Sequence, residues 1–211
     1  LQNGWCVTAS ELFLNSREPL SGYSILVLEG TLNGEVFACE DPSCSVPLNE
    51  GNNDFTYWAI SSWGDSSTKG IFSQKVDTVS PNVGLDVIGS NGTNGWYVSQ
   101  TTVTATGTDS TSGLYETLLS VDNGAWQSSA VLNDGVYTVA VRVVDNAGNI
   151  SNSSTIISVD TTTPSLNVSL NGTAGNNGWY VSKVKASAIA SDATSGIALL
   201  EFSADGGAYQ S

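Results

Sequence analysis

Asn94-Gly95-Trp96-Tyr97-Val98-Ser99 recurs as Asn177-Gly178-Trp179-Tyr180-Val181-Ser182, an offset of 83 residues. The same offset carries Val76-Asp77-Thr78 with Pro81 onto Val159-Asp160-Thr161 with Pro164, and Thr111-Ser112-Gly113 onto Thr194-Ser195-Gly196. It also carries Asp122-Asn123-Gly124 onto Asp205-Gly206-Gly207, and Trp126 onto Tyr209. Several landmarks at one spacing mark an internal repeat, in which each copy is one folding unit. A further copy lies upstream at an offset of 91, where Asn3-Gly4-Trp5 matches Asn94-Gly95-Trp96 and Ser21-Gly22 matches Ser112-Gly113. The offset falls from 91 to 83 before the next linker, which reads as a loss of residues from the second half of that copy.

The chain therefore divides into residues 1–79, 80–162 and 163–211. The first copy opens on its Asn-Gly-Trp without the Pro-led segment 81–93 that precedes it in the second, and the third stops short of the most apolar strand of the second. The simplest expectation is a stretch of a longer tandem array. The sharper alternative is a natural subunit completed by a strand from an identical neighbour in a filament.

Within the second copy the apolar residues alternate with polar ones at a period of two, the pattern of half-buried strands. Val103-Thr104-Ala105-Thr106 is one such run and Leu114 to Val121 another, followed by Asp122-Asn123-Gly124. Asn123-Gly124 there predicts a two-residue hairpin turn, because both central positions favour positive φ. Tyr137-Thr138-Val139-Ala140-Val141-Arg142-Val143 puts Tyr and Val on one face, and Thr155 to Val159 closes the unit. Short strands with turns every 8 to 12 residues predict an all-β fold of tandem sandwiches. Tyr137, just after Asp134-Gly135, is placed as in a tyrosine corner, where the phenol bonds backbone upstream; the plain alternative is an ordinary core Tyr. In the first copy the matching position reads as Phe55.

Composition narrows the function. The 211 residues carry 6 Lys+Arg against 20 Asp+Glu, a formal net charge of −14, with no His. So few cations cannot displace counterions from a phosphate backbone, which argues against nucleic acid, and an anionic membrane surface would repel the chain. Without His there is no Ser/His/Asp or Cys/His pair, so catalysis is not expected. No apolar run is long enough to span a membrane.

Taken together, the Val-Asp-Thr-x-x-Pro linkers, the NGWYVS segments, Asp-x-x-Ser-Gly, the Asp-x-Gly-x-Trp hairpin, Asp-Gly-x-Tyr and Asp145-Asn146-Ala147-Gly148-Asn149 resemble tandem bacterial immunoglobulin-like repeats of surface and secreted proteins. The first copy departs from the pattern by carrying Ser61-Ser62-Trp63-Gly64-Asp65-Ser66-Ser67 in place of the DNAGN segment. The resemblance implies a β-sandwich used as an extracellular or cell-surface building block, whose partners are neighbouring repeats or identical subunits. It names no ligand.

Few residues stand out as candidates for chemistry. Trp5, Trp96 and Trp179 head the three copies and are expected to pack in cores or between units, the alternative being a platform for sugars. Full burial of such a ring, ~150–250 Å², is worth at most ~4–6 kcal/mol. If surface glycans are bound, the aromatic cluster Tyr57, Trp58 and Trp63 of the first copy is the expected place. All three cysteines lie in that copy: Cys39 with Cys44 across a Pro-containing turn is the favoured disulfide, with Cys6 free, while Cys6 with either is the alternative. Any such bond indicates an oxidising compartment. Acidic residues recur at unit ends, and Asp77, Asp145 and Asp160 are candidates for calcium, with Asp109 and Asp192 in nearby turns; the plain reading is that they cap backbone groups. Asn91, Asn149, Asn152, Asn167 and Asn171 head N-x-S/T triplets and are weak glycosylation candidates.

Overall fold

The computed structural model describes residues 3–8, 10–15, 25–39 and 43–210. It contains 16 strands, and no helix occurs among the described residues. The Ser21-Gly22 match lies outside them.

In the first unit the strands are β1 (Trp5–Cys6), β2 (Glu11–Asn15), β3 (Ile25–Leu32), β4 (Glu35–Cys39), β5 (Ser43–Pro47), β6 (Gly51–Ser61) and β7 (Gly70–Val76). They form a sheet of order β1-β7-β6-β3-β4 and a second sheet β2-β5. The second unit continues with β8 (Asn82–Ile88), β9 (Trp96–Tyr97), β10 (Thr101–Thr108), β11 (Leu114–Val121), β12 (Ser129–Leu132), β13 (Gly135–Asp145) and β14 (Ile150–Val159). Its sheets are β12-β10-β8 and β11-β13-β14-β9. The third unit contributes the pair β15 (Ser165–Asn171) and β16 (Lys185–Ser191).

The second unit has the fullest core among the described residues. Val139, Val141 and Val143 alternate inward along β13 and meet Val103 from β10, Leu119 from β11 and Ile157 and Val159 from β14. Val83, Leu85 and Val87 of β8 close the opposite side. The period-two alternation is what allows both sheets to face this interior while hydroxyl-bearing residues face water. In the first unit the buried apolar side chains among the described residues are Phe55, Val76 and Cys39, and the Phe55 ring lies tilted against Phe72 at 6.1 Å.

Register corrects three expectations. Gly51 opposes Val76 as Gly135 opposes Val159. Counting from these pairs, the partner of Tyr137 in the first unit is Asn53, and Phe55 corresponds to the core residue Val139. From its Asn-Gly-Trp to its linker the first copy is also longer than the second, not shorter. Between the turn at Asn33 and the carboxylate Glu50 it inserts the whole of strand β4, whereas the second unit passes from Asp122 to Asp134 with only an isolated Leu119–Gln127 bridge before β12. Finally, the expected Asn123-Gly124 turn sits one residue earlier: Asp122 and Asn123 are the positive-φ residues, at 50° and 60°, and the Gly124 N–H closes onto the Val121 carbonyl at 2.8 Å. A Cβ on Gly124 would stand 3.0 Å from that carbonyl oxygen, so glycine is needed for close approach rather than for φ.

Candidate functional site

The residues that the repeat pattern singles out gather at the junctions between units. Each linker is a Val-Asp-Thr triplet whose side chains are used in three directions. Val76 and Val159 end strands β7 and β14 with their side chains in their own unit's interior. Thr78 turns back, its amide and hydroxyl donating to the Glu50 carboxylate. Thr161 repeats this one unit on: its amide and hydroxyl donate to Asp134 Oδ1 at 2.8 and 2.7 Å, and the Thr162 hydroxyl donates to Oδ2 at 2.6 Å. Those donors, the Thr162 hydroxyl foremost, hold the Asp134 carboxyl below its ordinary range.

The aspartate between them reaches forward. Asp77 is buried, and its Oδ2 accepts the Ser112 N–H of the second unit at 3.1 Å, while Oδ1 accepts the Val79 N–H. Asp160 does the same to the third unit, accepting the Ser195 N–H at 3.1 Å and the Thr162 N–H at 3.0 Å. The loop that is met is shaped by its own aspartate. Asp109 Oδ1 accepts the amides of Thr111, Ser112 and Gly113. Asp192 Oδ1 accepts those of Thr194, Ser195 and Gly196, and these donors, Thr194 first, hold its carboxyl below the ordinary range. A charged acceptor fed by backbone N–H groups makes the stronger kind of hydrogen bond.

At the first junction the DNAGN segment completes the contact. Asn146 donates from its amide side chain to the Ser112 carbonyl at 2.8 Å and accepts Asn3 Nδ2 at 3.1 Å on its own carbonyl, joining the two units. Asn149 Nδ2 donates to the Asp77 carbonyl at 3.0 Å and to Asp145 Oδ2 at 2.9 Å. Asp145 is buried, and its Oδ1 accepts the amides of Gly148 and Asn149.

Carboxylate oxygens of Asp77, Asp109 and Asp145 lie within 4.8 Å of one another. These residues could hold a divalent cation, since calcium takes carboxylates in flexible geometry. The backbone and Asn149 donors already described account for their convergence without one. Of the sequence candidates, Asp77 and Asp145 come together, with Asp109 added; Asp160 belongs to the other junction beside Asp192. Asp109 was identifiable from its equivalence to Asp192, but nothing in the sequence put it beside Asp145.

The tryptophans divide. Trp5 and Trp96 are half-buried, their strands β1 and β9 pairing in parallel with β7 and β14, and the Lys75 ammonium sits 5.3 Å from the Trp5 ring centroid. Trp179 is 76% exposed, and among the described residues no counterpart of β7 or β14 lies beside it. The Tyr137 phenol donates to the Asp134 carbonyl at 3.4 Å, and Asn53 stands in its place in the first unit, buried, donating to the Asn49 carbonyl at 2.7 Å and accepting the Asn49 N–H at 2.9 Å.

The aromatic cluster of the first unit does not make a common face. Tyr57 and Trp58 are successive residues of β6 and so point to opposite faces of the sheet. Tyr57 lies over Gly70, where a Cβ would run into its ring. The Trp58 indole donates to Glu29 at 3.1 Å and carries the Lys69 ammonium 4.4 Å above its ring. Trp63 stands apart in the turn, 76% exposed. A shallow recess of about 200 Å³ is lined by Tyr57 and Trp58 but not by Trp63. Cys39 and Cys44 form a disulfide with Cα atoms 6.0 Å apart, and Cys6 is free. It clamps the chain where it crosses from β4 in one sheet to β5 in the other; Glu40 to Pro42 between them lie outside the described residues. Asn91, Asn167 and Asn171 are exposed.

The fold and its repeating junctions define tandem β-sandwich units. The bacterial Ig-like domain family matches residues 91–161, within the second unit. Among solved structures the chain is similar to the fibronectin(III)-like modules of Clostridium thermocellum CbhA, with 16% identity, 74% of this chain and 87% of that chain covered, and a TM-score of 0.34. No curated protein matches it.

Proposed function

We propose that this chain is a non-catalytic spacer segment of a cell-surface or secreted protein, in which Ig-like units are locked in series to form a stalk or adhesive arm. The observation that carries this reading is the linker. In both junctions one aspartate bonds the following unit while the neighbouring threonine bonds the preceding one. A hinge would leave these groups to water; here they are bonded on both sides, which favours a stiff connection over a swivel.

The disulfide between Cys39 and Cys44 supports an oxidising location outside the cytoplasm. The low charge density, the hydroxyl-rich strands and the net charge of −14 suit a long, soluble, mutually repelling surface array. Negative-stain electron microscopy of the purified protein tests the reading. Beaded rods are expected, and compact particles would overturn it. Repeating the images after chelation reads the calcium alternative: rods that kink only in chelator would assign the Asp77, Asp109 and Asp145 junction to a divalent cation.

A further inference from the structure

We propose that strand β14 of the second unit is a docking edge for a second copy of this chain, the two β14 strands pairing antiparallel about a two-fold axis. The proposal goes beyond the spacer reading, because it gives arrays standing side by side a way to join laterally.

An open strand edge offers unpaired N–H and C=O groups, and folded chains blunt such edges with charge, bulges or brevity. In the second unit the other edges are blunted in these ways. β8 carries Asp86, β12 is only four residues long, and β11 carries Glu116 beside a register shift between Leu114 and Glu116. β14 has none of these devices. It runs Ile-Ser-Asn-Ser-Ser-Thr-Ile-Ile-Ser-Val without a charge or a proline, and its register with β13 is unbroken from Ile150 to Val159. On its other side β9 reaches only Ser158 and Val159, so residues 150–157 have no strand beside them. The equivalent strand of the first unit, β7, contains Lys75 and directly follows Lys69.

Alternation fixes which groups are open. The Asp160 N–H donates to the Tyr97 carbonyl and so points away from β13. Successive residues of a strand turn their backbone groups to opposite sides, which puts the N–H and C=O of Ile156, Ser154, Asn152 and Ile150 on the open edge. The side chains of all four are exposed, Ile150 at 53% and Ile156 at 67%.

This edge is complementary to itself. Two copies related by an axis through Ser153 set Ile150 opposite Ile156 and Asn152 opposite Ser154, and each such pair exchanges two backbone hydrogen bonds. The isoleucines then meet across the strands at both ends, with the Asn and Ser pairs between them. In this register residue 149 of one copy is the one opposite Ile157, so neither strand runs into the residues that β9 covers. Charge favours the same occupant. In a chain of net charge −14, a long strand without a carboxylate is where two copies can approach without opposing like charges. The contact is small, which suits arrays already held close together more than free molecules.

Sedimentation velocity of the 211-residue protein over rising concentration tests the proposal. A reversible dimer is expected by millimolar concentration, with the amides of Asn152, Ser154 and Ile156 gaining protection from exchange as it forms. Ser154→Lys, which places a charge on the open edge, should raise the dimer dissociation constant at least tenfold while the second unit melts unchanged. A second pair of variants reads the register apart from affinity. In a Cys6→Ser background, Ser153→Cys should give a disulfide-linked dimer with an added oxidant, whereas Ser151→Cys, opposite Thr155, should not. A chain that stays monomeric, a dimer that Ser154→Lys leaves as tight, or equal cross-linking at positions 151 and 153 would each overturn the proposal. Single rods in electron microscopy of dilute protein are read separately, so failure here leaves the spacer reading standing.

Discussion

Where β6 leaves its corner the first unit buries the Asn53 amide against Asn49, and where β13 leaves the equivalent corner the second unit places the Tyr137 phenol over the Asp134 carbonyl. The two residues share nothing in size or hydrophobicity, yet both satisfy backbone groups of the incoming turn. A carboxylate at the head of each corner, Glu50 or Asp134, then holds the linker threonine. What is preserved between the units is the hydrogen-bonding demand of the corner, and the residue type is free to change as long as that demand is met. The outer faces repeat the lesson with roles exchanged. In the first unit Lys69 sits over Trp58, itself bonded to Glu29; in the second Arg142 stacks 4.8 Å from Trp126 and pairs with Glu116 at 2.7 Å.

The sharpest way to break the comparison is through the cores. Phe55 is the largest buried side chain of the first unit, and Phe55→Ala should destabilise that unit by about 3–5 kcal/mol. Calorimetry should then show one transition moving down while the transition of the second unit stays in place. A common shift of both would mean that the units do not melt independently.

Next comes the disulfide, the device that only the first unit has. Closing so short a loop restricts the unfolded chain by about 2 kcal/mol, and the Cys39→Ser, Cys44→Ser double variant should lose that much, again in the first transition alone. An unchanged midpoint would show that the β4–β5 crossover is held by pairing and not by the bond.

The corner itself predicts an asymmetry. Asn53→Ala removes a buried acceptor and leaves the Asn49 N–H without a partner, a loss of about 1–3 kcal/mol, whereas Tyr137→Phe deletes one long hydrogen bond and should lose about 0.5–1 kcal/mol. Equal losses in urea denaturation would contradict the equivalence drawn from register.

The smallest effect concerns acid. Asp134 and Asp192 have carboxyls held below the ordinary range by Thr162 and Thr194 respectively as the first of their donors. Because the folded value is the lower one, their contribution is complete above roughly pH 4 and fades as pH falls through the folded values. Both groups are open to solvent, so the change should be slight, visible as reduced protection of the Thr161 and Ser195 amides, relative to their intrinsic exchange rate, below that pH. Protection that is lost instead between pH 5 and 7 would point to another group.

The repeat, the all-β class, the strands of the second unit and the Cys39–Cys44 bond were legible in the sequence, because each follows from local patterns: a fixed offset, a period of two, a short Cys spacing. The partnership of Asp77, Asp109 and Asp145 was not, since it depends on how one unit's end meets the next unit's loops. Asn53 was missed because a polar residue on an apolar strand looks like the outward face until register places it inward. The first copy's apparent shortening was a misreading of a falling offset, and strand β4 is the insertion behind it.

The central claim is that the Val-Asp-Thr linker fixes one unit against the next. Small-angle X-ray scattering on the wild-type chain and on Asp77→Ala measures this directly. The expected result is a distribution of intramolecular distances that one arrangement reproduces for the wild type, and a broader distribution with a changed radius of gyration once the Ser112 amide loses its acceptor across the junction and keeps only Asp109. A wild-type profile that already requires many arrangements, or an Asp77→Ala profile superimposable on it, would contradict the claim.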